Sequence, residues 1–118
     1  MVISDCLTYL FPDATNGIDY TLRDNGDGLG VYIDQWNLTN TQPTTAQLEA
    51  AWVVISTANA WNLVRDQRVA MLLEADIEIF KAEDNAGNLT PLRVYRQALR
   101  DITKGPDANN PAWPTKPW

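Results

Sequence analysis

Residues 43–87 read PTTAQLEAAWVVISTANAWNLVRDQRVAMLLEADIEIFKAEDNAG, and the parsing of this stretch decides the fold. Neither Gly nor Pro interrupts it between Pro43 and Gly87. At its start, Thr44 is placed to cap a helix, and Gln47, three residues on, completes a reciprocal capping box. Stepping onward by about 3.6 residues meets Leu48, Trp52, Ile55, Ala58, Leu63, Val69, Leu73, Ile77 and Phe80. The stripe is thinnest from Asn62 to Arg68, where Arg65, Asp66 and Arg68 intrude. Two parses follow. One is a single helix over residues 44–82, roughly 58 Å long; the other is two helices meeting near residues 62–68. The lack of Gly and Pro favours the first. Such a helix carries more apolar stripe than a small N-terminal unit can cover, so it needs a helix folded back on it or another chain.

C-terminal to it, Asp84-Asn85-Ala86-Gly87-Asn88 is a break. Thr90 as N-cap and Pro91 at the first helical position predict a shorter helix over residues 91–103. Leu92, Tyr95, Leu99 and Ile102 share one face of it, with Arg93, Arg96 and Arg100 on the other. Gly105-Pro106 ends it, and an extended tail closes on Trp113-Pro114-Thr115-Lys116-Pro117-Trp118. Prolines beside both tryptophans forbid a helix interior or a central strand. Each indole is worth about 2–3 kcal/mol if buried, so the tail must dock, either on its own domain or on a partner.

N-terminal to the long helix, Ser4 as a candidate N-cap with Leu7, Leu10 and Phe11 reads as a short helix stopped by Pro12. Ile18 to Arg23 and Val31 to Trp36 are strand-like runs joined by a Gly-rich connector, the signature of a hairpin. Simple alternation sets Val31 and Ile33 on one face and Tyr32 and Trp36 on the other. The fold class is therefore α+β. A small helix and β-hairpin head spans residues 1–42, a helical region 43–104 and an extended arm 105–118.

Composition narrows the function. A net charge of -6 opposes a general role on nucleic acid or anionic membrane, both of which need basic surface. No run of about 18 apolar residues could span a bilayer, and the N-terminus lacks the pattern of a secretory signal. A reducing cytosol is the expected setting. Histidine is absent, which removes the commonest general base and zinc ligand. Cys6 is the single cysteine, expected as a small buried apolar residue. No cofactor or metal is expected. Asp24-Asn25-Gly26-Asp27-Gly28 invites a calcium test, but an EF-hand alignment puts Arg23 at the first ligand position, where it cannot coordinate. A hairpin turn is the better account. Glu74, Asp76 and Glu78 do not converge on one helix face and read as solvated. A carboxylate-dependent hydrolase would need two acids across a cleft, and no spacing suggests them. The chain is expected not to be an enzyme.

The motifs Tyr9-Leu10-Phe11-Pro12-Asp13-Ala14, Asp24-Asn25-Gly26-Asp27-Gly28, Tyr32-Ile33 with Trp36-Asn37-Leu38, and Gln42-Pro43-Thr44 with Leu48 and Trp52 resemble the XkdW-like proteins of phages and defective prophages. Separately, Arg65-Asp66 with Leu72 and Asp76, Tyr95-Arg96-Gln97-Ala98-Leu99-Arg100-Asp101-Ile102, and Trp113-Pro114 with Lys116-Pro117 resemble the C-terminal module of phage tail or tail-fibre assembly chaperones. Ile77 departs from that module, which often has an aromatic after the matching aspartate. The resemblance implies a non-enzymatic protein that builds or mounts phage tail fibres, either leaving after assembly or staying on the virion tail. A permanent structural part of the baseplate or fibre joint is the alternative. The implied partner is the tail-fibre protein, with self-association or a trimeric stoichiometry on the fibre. Trp52, Ile55, Leu63, Leu73, Ile77, Phe80, Tyr95, Arg96, Leu99, Arg100, Trp113 and Trp118 are the expected partner-binding residues.

Overall fold

The computed structural model describes residues 1–118. In chain order they form α1 (Ile3–Leu10), β1 (Tyr20–Asp24), β2 (Val31–Trp36), α2 (Thr45–Asp84), α3 (Thr90–Arg100) and a 3₁₀ turn, Ile102–Lys104. The fold is α+β. Two units are distinct, Met1–Ser56 and Thr57–Trp118, and α2 contributes residues to both.

In the first unit, α1 begins with Val2 in the N-cap position, not Ser4. Ser4 lies inside the helix, where its carbonyl accepts the Thr8 hydroxyl at 2.9 Å. Pro12 disfavours helical backbone at Phe11, so the helix stops there, with the Phe11 N–H still donating to the Leu7 carbonyl. The first strand starts at Tyr20 rather than Ile18. A tight turn intervenes, in which the Thr15 carbonyl accepts the Ile18 and Asp19 N–H groups and the Asp19 carboxylate accepts the Thr15 N–H at 2.7 Å. Ile18 is left outside.

β1 and β2 pair antiparallel, with Tyr20 opposite Trp36, Thr21 opposite Gln35 and Leu22 opposite Ile33. Asp34 is the extra residue, a bulge that shifts the register. The shift overturns the alternation expected from sequence: Ile33 and Trp36 now pack on the same core, while Val31 and Tyr32 remain exposed. In the connector, the Asp24 and Asp27 carboxylates accept the Gly26 and Leu29 N–H groups. Gly26 and Gly28 take positive φ there, which only glycine adopts without strain.

Cys6, Leu7, Tyr20, Leu48 and Ala51 form the first core, with Phe11 and Trp36 partly buried against it. The Trp36 ring meets Phe11 edge-on at 5.3 Å and stacks on Tyr20 at 6.2 Å. Its Nε1–H donates to the Asn40 carbonyl at 2.6 Å, so the indole is satisfied at both its apolar face and its polar tip. Cys6 is buried as expected. Burial, and then the neighbouring Asp5 carboxylate, pushes its thiol pKa up, away from thiolate chemistry.

The capping box forms as the spacing predicts. The Thr44 N–H donates to the Gln47 side-chain oxygen at 2.9 Å, and the Gln47 N–H donates to the Thr44 hydroxyl at 3.2 Å. Thr44→Ala removes the acceptor of the Gln47 N–H while the backbone donor of the reciprocal contact stays; it is expected to cost about 1 kcal/mol, measurable as a lowered thermal midpoint of the purified protein. α2 is continuous through Asn62–Arg68, so the two-helix parse does not hold. The intruding cations find acceptors: Arg65 donates to the Asn62 side chain within the helix, and Arg68 to the distant Arg100 carbonyl at 3.0 Å.

In the second unit, α2 ends where Ala86 enters the left-handed region (φ 52°) and the Gly87 N–H returns to the Ala82 carbonyl at 2.7 Å. α3 starts one residue earlier than expected. Leu89 holds the N-cap position and Thr90 is already helical, its N–H donating to the Asn88 side chain. It also ends sooner, at Arg100, with residues 102–104 tightened into the 3₁₀ turn. Leu92, Tyr95, Leu99 and Ile102 are all buried, as their shared face predicts. Ala75, Tyr95 and Leu99 make the centre of this core, with Met71, Leu72 and Trp113 packed against it.

Candidate partner-binding surfaces

The segment of α2 in the second unit is apolar on two opposite sides. Val64, Ala75 and Ile79 are buried, and Met71 and Leu72 pack beside them. At about 100° per residue, Val69, Leu73, Ile77 and Phe80 point the other way, and Leu63 lies at the edge of that second face. All five are at least half exposed, Leu73 at 62% and Phe80 at 65%. The stripe traced from sequence is thus the uncovered face over this segment, not the core face. Stepping by a helical turn can follow either row when both are apolar. The spacing of Val64, Ala75 and Ile79 was the signal for the inner row.

The other expected partner residues divide. Trp52 and Ile55 are partly buried against the first unit's core. Tyr95 and Leu99 are a correction: at 3% and 0% exposure they are interior, because the long helix supplies Ala75 as a small residue for them to pack on. Arg96 reaches the Asp76 carboxylate at 3.1 Å, while the Arg100 side chain stays exposed. Trp113 is half-buried on the second core. Trp118 stands edge-on to Tyr95 with ring centres 5.1 Å apart, and retains 45% exposure. The arm therefore docks on its own unit and leaves one indole half in water.

Lys116 fastens that arm to Glu74 at 2.6 Å and lies 5.7 Å over the Trp118 ring. The hydrogen bond that Lys116 donates to the Glu74 carboxylate raises the Lys116 pKa above its ordinary value. A lysine raised in this way adds stability that is complete below the unfolded pKa and is lost as pH climbs through the folded one. The arm is therefore expected to hold across neutral pH and to loosen only above the ordinary lysine range. Indole fluorescence followed through alkaline pH checks this, with Glu74→Gln as the variant in which the transition disappears.

The first unit offers apolar surface that the sequence did not reveal. A cleft of about 530 Å³ is lined by Tyr9, Leu10, Phe11, Pro43 and Val54 among others. A second, of about 600 Å³, lies between the N-terminus and the hairpin, at Val2, Leu22, Leu29 and Val31. No linear pattern marks either, since each is assembled from α1 and a segment distant in the chain.

The acids do not build a reacting centre. Glu74, Asp76 and Glu78 pair with three different cations, Lys116, Arg96 and Lys81. Asn25 accepts the Tyr32 hydroxyl, and the Asp24 and Asp27 side chains close their own turns. What both units present is apolar side chain on formed secondary structure.

Comparison with known proteins places this geometry in context. The model of a family described as XkdW protein matches residues 3–64, which take in α1, the hairpin and the first part of α2. The phage-like element PBSX protein XkdW of Bacillus subtilis (strain 168) is 42% identical over 52 residues, covering 44% of this chain and 46% of that protein. The uncharacterized protein YqcD of the same strain is 31% identical over 61 residues, covering 52% of this chain and 55% of that one. The chain thus spans about half the length of the curated relatives it matches. A solution NMR structure of the phage-like element PBSX protein xkdW is 39% identical, covers 48% of this chain and 90% of that one, and superposes with a TM-score of 0.42.

Proposed function

The chain belongs to the XkdW protein family, and from that premise we propose that it is a non-enzymatic bacteriophage protein that assists tail-fibre assembly by binding the fibre chain. One observation carries the reading: each unit completes its own core and still leaves large apolar side chains outside, among them Tyr9 and Val54 in the first and Leu73, Ile77 and Phe80 in the second. A chaperone needs such a surface, rigid before its client arrives, because preorganisation lowers the ordering cost of binding. The name of the Bacillus relative, a phage-like element protein, supports the phage setting. The second unit, outside most of the family match, supports the chaperone part through its resemblance to tail-assembly modules.

Under this reading the protein works in the host cytoplasm during assembly, and a trimeric fibre would take three copies. The test is omission. The neighbouring fibre gene is expressed with and without this chain, and soluble fibre trimer is measured. Trimer that forms only in its presence is the expected result. Equal yields without it would overturn the chaperone role in favour of a permanent part of the baseplate or fibre joint.

A further inference from the structure

The uncovered face of α2 in the second unit has a definite period and an uneven charge. Leu63, Ala70 and Ile77 recur every seven residues, as do Asp66, Leu73 and Phe80 three positions on, which are the a and d sites of a heptad. All six are exposed. The residues that α2 buries in its own unit, Val64, Ala75 and Ile79, fall at b, f and c positions on the other side. A face with this spacing accepts another helix lying nearly along it, over about 26 Å.

Charge chooses the occupant. Asp66 lies within the stripe near one end, and Glu83 and Asp84 flank the other; none of the three is in an ion pair. The cations on the flanks are engaged elsewhere: Lys81 holds Glu78 and Arg65 holds Asn62. Glu83 and Asp84 also occupy the last turn of α2, where the helix dipole opposes negative charge. A second copy of this chain would set acid against acid or leave it buried without a cation. Parallel pairing faces Asp66 with Asp66; antiparallel pairing of Leu63 against Phe80 buries Asp66 against the apolar Ile77 with no cation for it, and a register shifted toward the C-terminal end brings it to Glu83 and Asp84.

We propose that this face binds a helix of a different chain, apolar along one stripe and flanked at both ends of the contact by lysine or arginine. The proposal rests on the assembly reading only in naming the fibre as the chain in which to look for that helix.

The test uses the full-length protein and two labelled model helices with the same leucine and isoleucine stripe, one flanked by lysines and one by glutamates. Fluorescence anisotropy is expected to show the lysine-flanked helix binding at least about ten-fold tighter at low salt, a preference that shrinks as salt screens it. The triple variant D66K/E83K/D84K should reverse the preference and melt no lower than the parent, because two of its changes favour the helix dipole. Leu73→Asp should abolish binding of both helices. Equal binding of the two helices, no binding of either, or a dimer in sedimentation equilibrium that Leu73→Asp disperses would overturn the proposal. Binding of the lysine-flanked helix alongside a fibre that never co-purifies would uphold this surface and refute the fibre as its source.

Discussion

Leu99→Ala is expected to destabilise the second unit by about 3 kcal/mol, within the range seen when a wholly buried leucine is truncated. Leu99 has no exposure at all and packs with Ala75 and Tyr95 at the centre of that core. α3 cannot move in to fill the gap cheaply, because Arg96 ties it to Asp76 and Arg68 ties its C-terminal end to α2. The informative comparison is Leu73→Ala, the same chemical change on the opposite face of α2. With Leu73 62% exposed, that change should stay within about 0.5 kcal/mol. Urea unfolding monitored by circular dichroism measures both. Similar losses for the two variants would mean that the faces have been assigned wrongly.

Trp36→Ala should be comparably severe in the first unit, at about 3 kcal/mol. The indole bridges α1 and the hairpin through Phe11 and Tyr20, and its Nε1–H is the donor to Asn40. Truncation removes both ring contacts and leaves the Asn40 carbonyl without that donor. Trp36→Phe should recover part of the loss, since the smaller ring keeps an aromatic contact while forfeiting the hydrogen bond and some of the indole's packing. Thermal unfolding of the two variants, with near-ultraviolet circular dichroism for aromatic packing, gives the order. A Trp36→Ala protein as stable as the parent would show that the hairpin does not depend on the bulge for its docking.

Local signals proved readable where one neighbour decides the outcome. Thr44 and Gln47 cap α2 because only they and the adjacent backbone take part. Pro12 stops α1 for an equally local reason, and Leu92, Tyr95, Leu99 and Ile102 share a face by helix geometry alone. What escaped needed a partner from far along the chain. The Asp34 bulge depends on how two strands reach a common core, and nothing in Val31–Trp36 announces it. α2 carries two apolar rows in its second half, so periodicity found one and could not say which was inside. Tyr95 and Leu99 belong to the motif that resembles tail-assembly modules, and a motif does not say which side is inside; the small side chain of Ala75 is the sign of the close helix contact that buries them. Docking of Trp118 on Tyr95 and of Lys116 on Glu74 was open in the sequence because both are long-range contacts of a segment without regular structure.

A different chain is expected to cover the apolar surface that these two units leave bare. Native mass measurement of this protein co-expressed with the adjacent fibre gene tests it most directly. A stable species containing both chains is the predicted result, weakened by Leu73→Asp while the fold is retained. A lone monomer from the same cells, with intact fibre eluting separately, would contradict it.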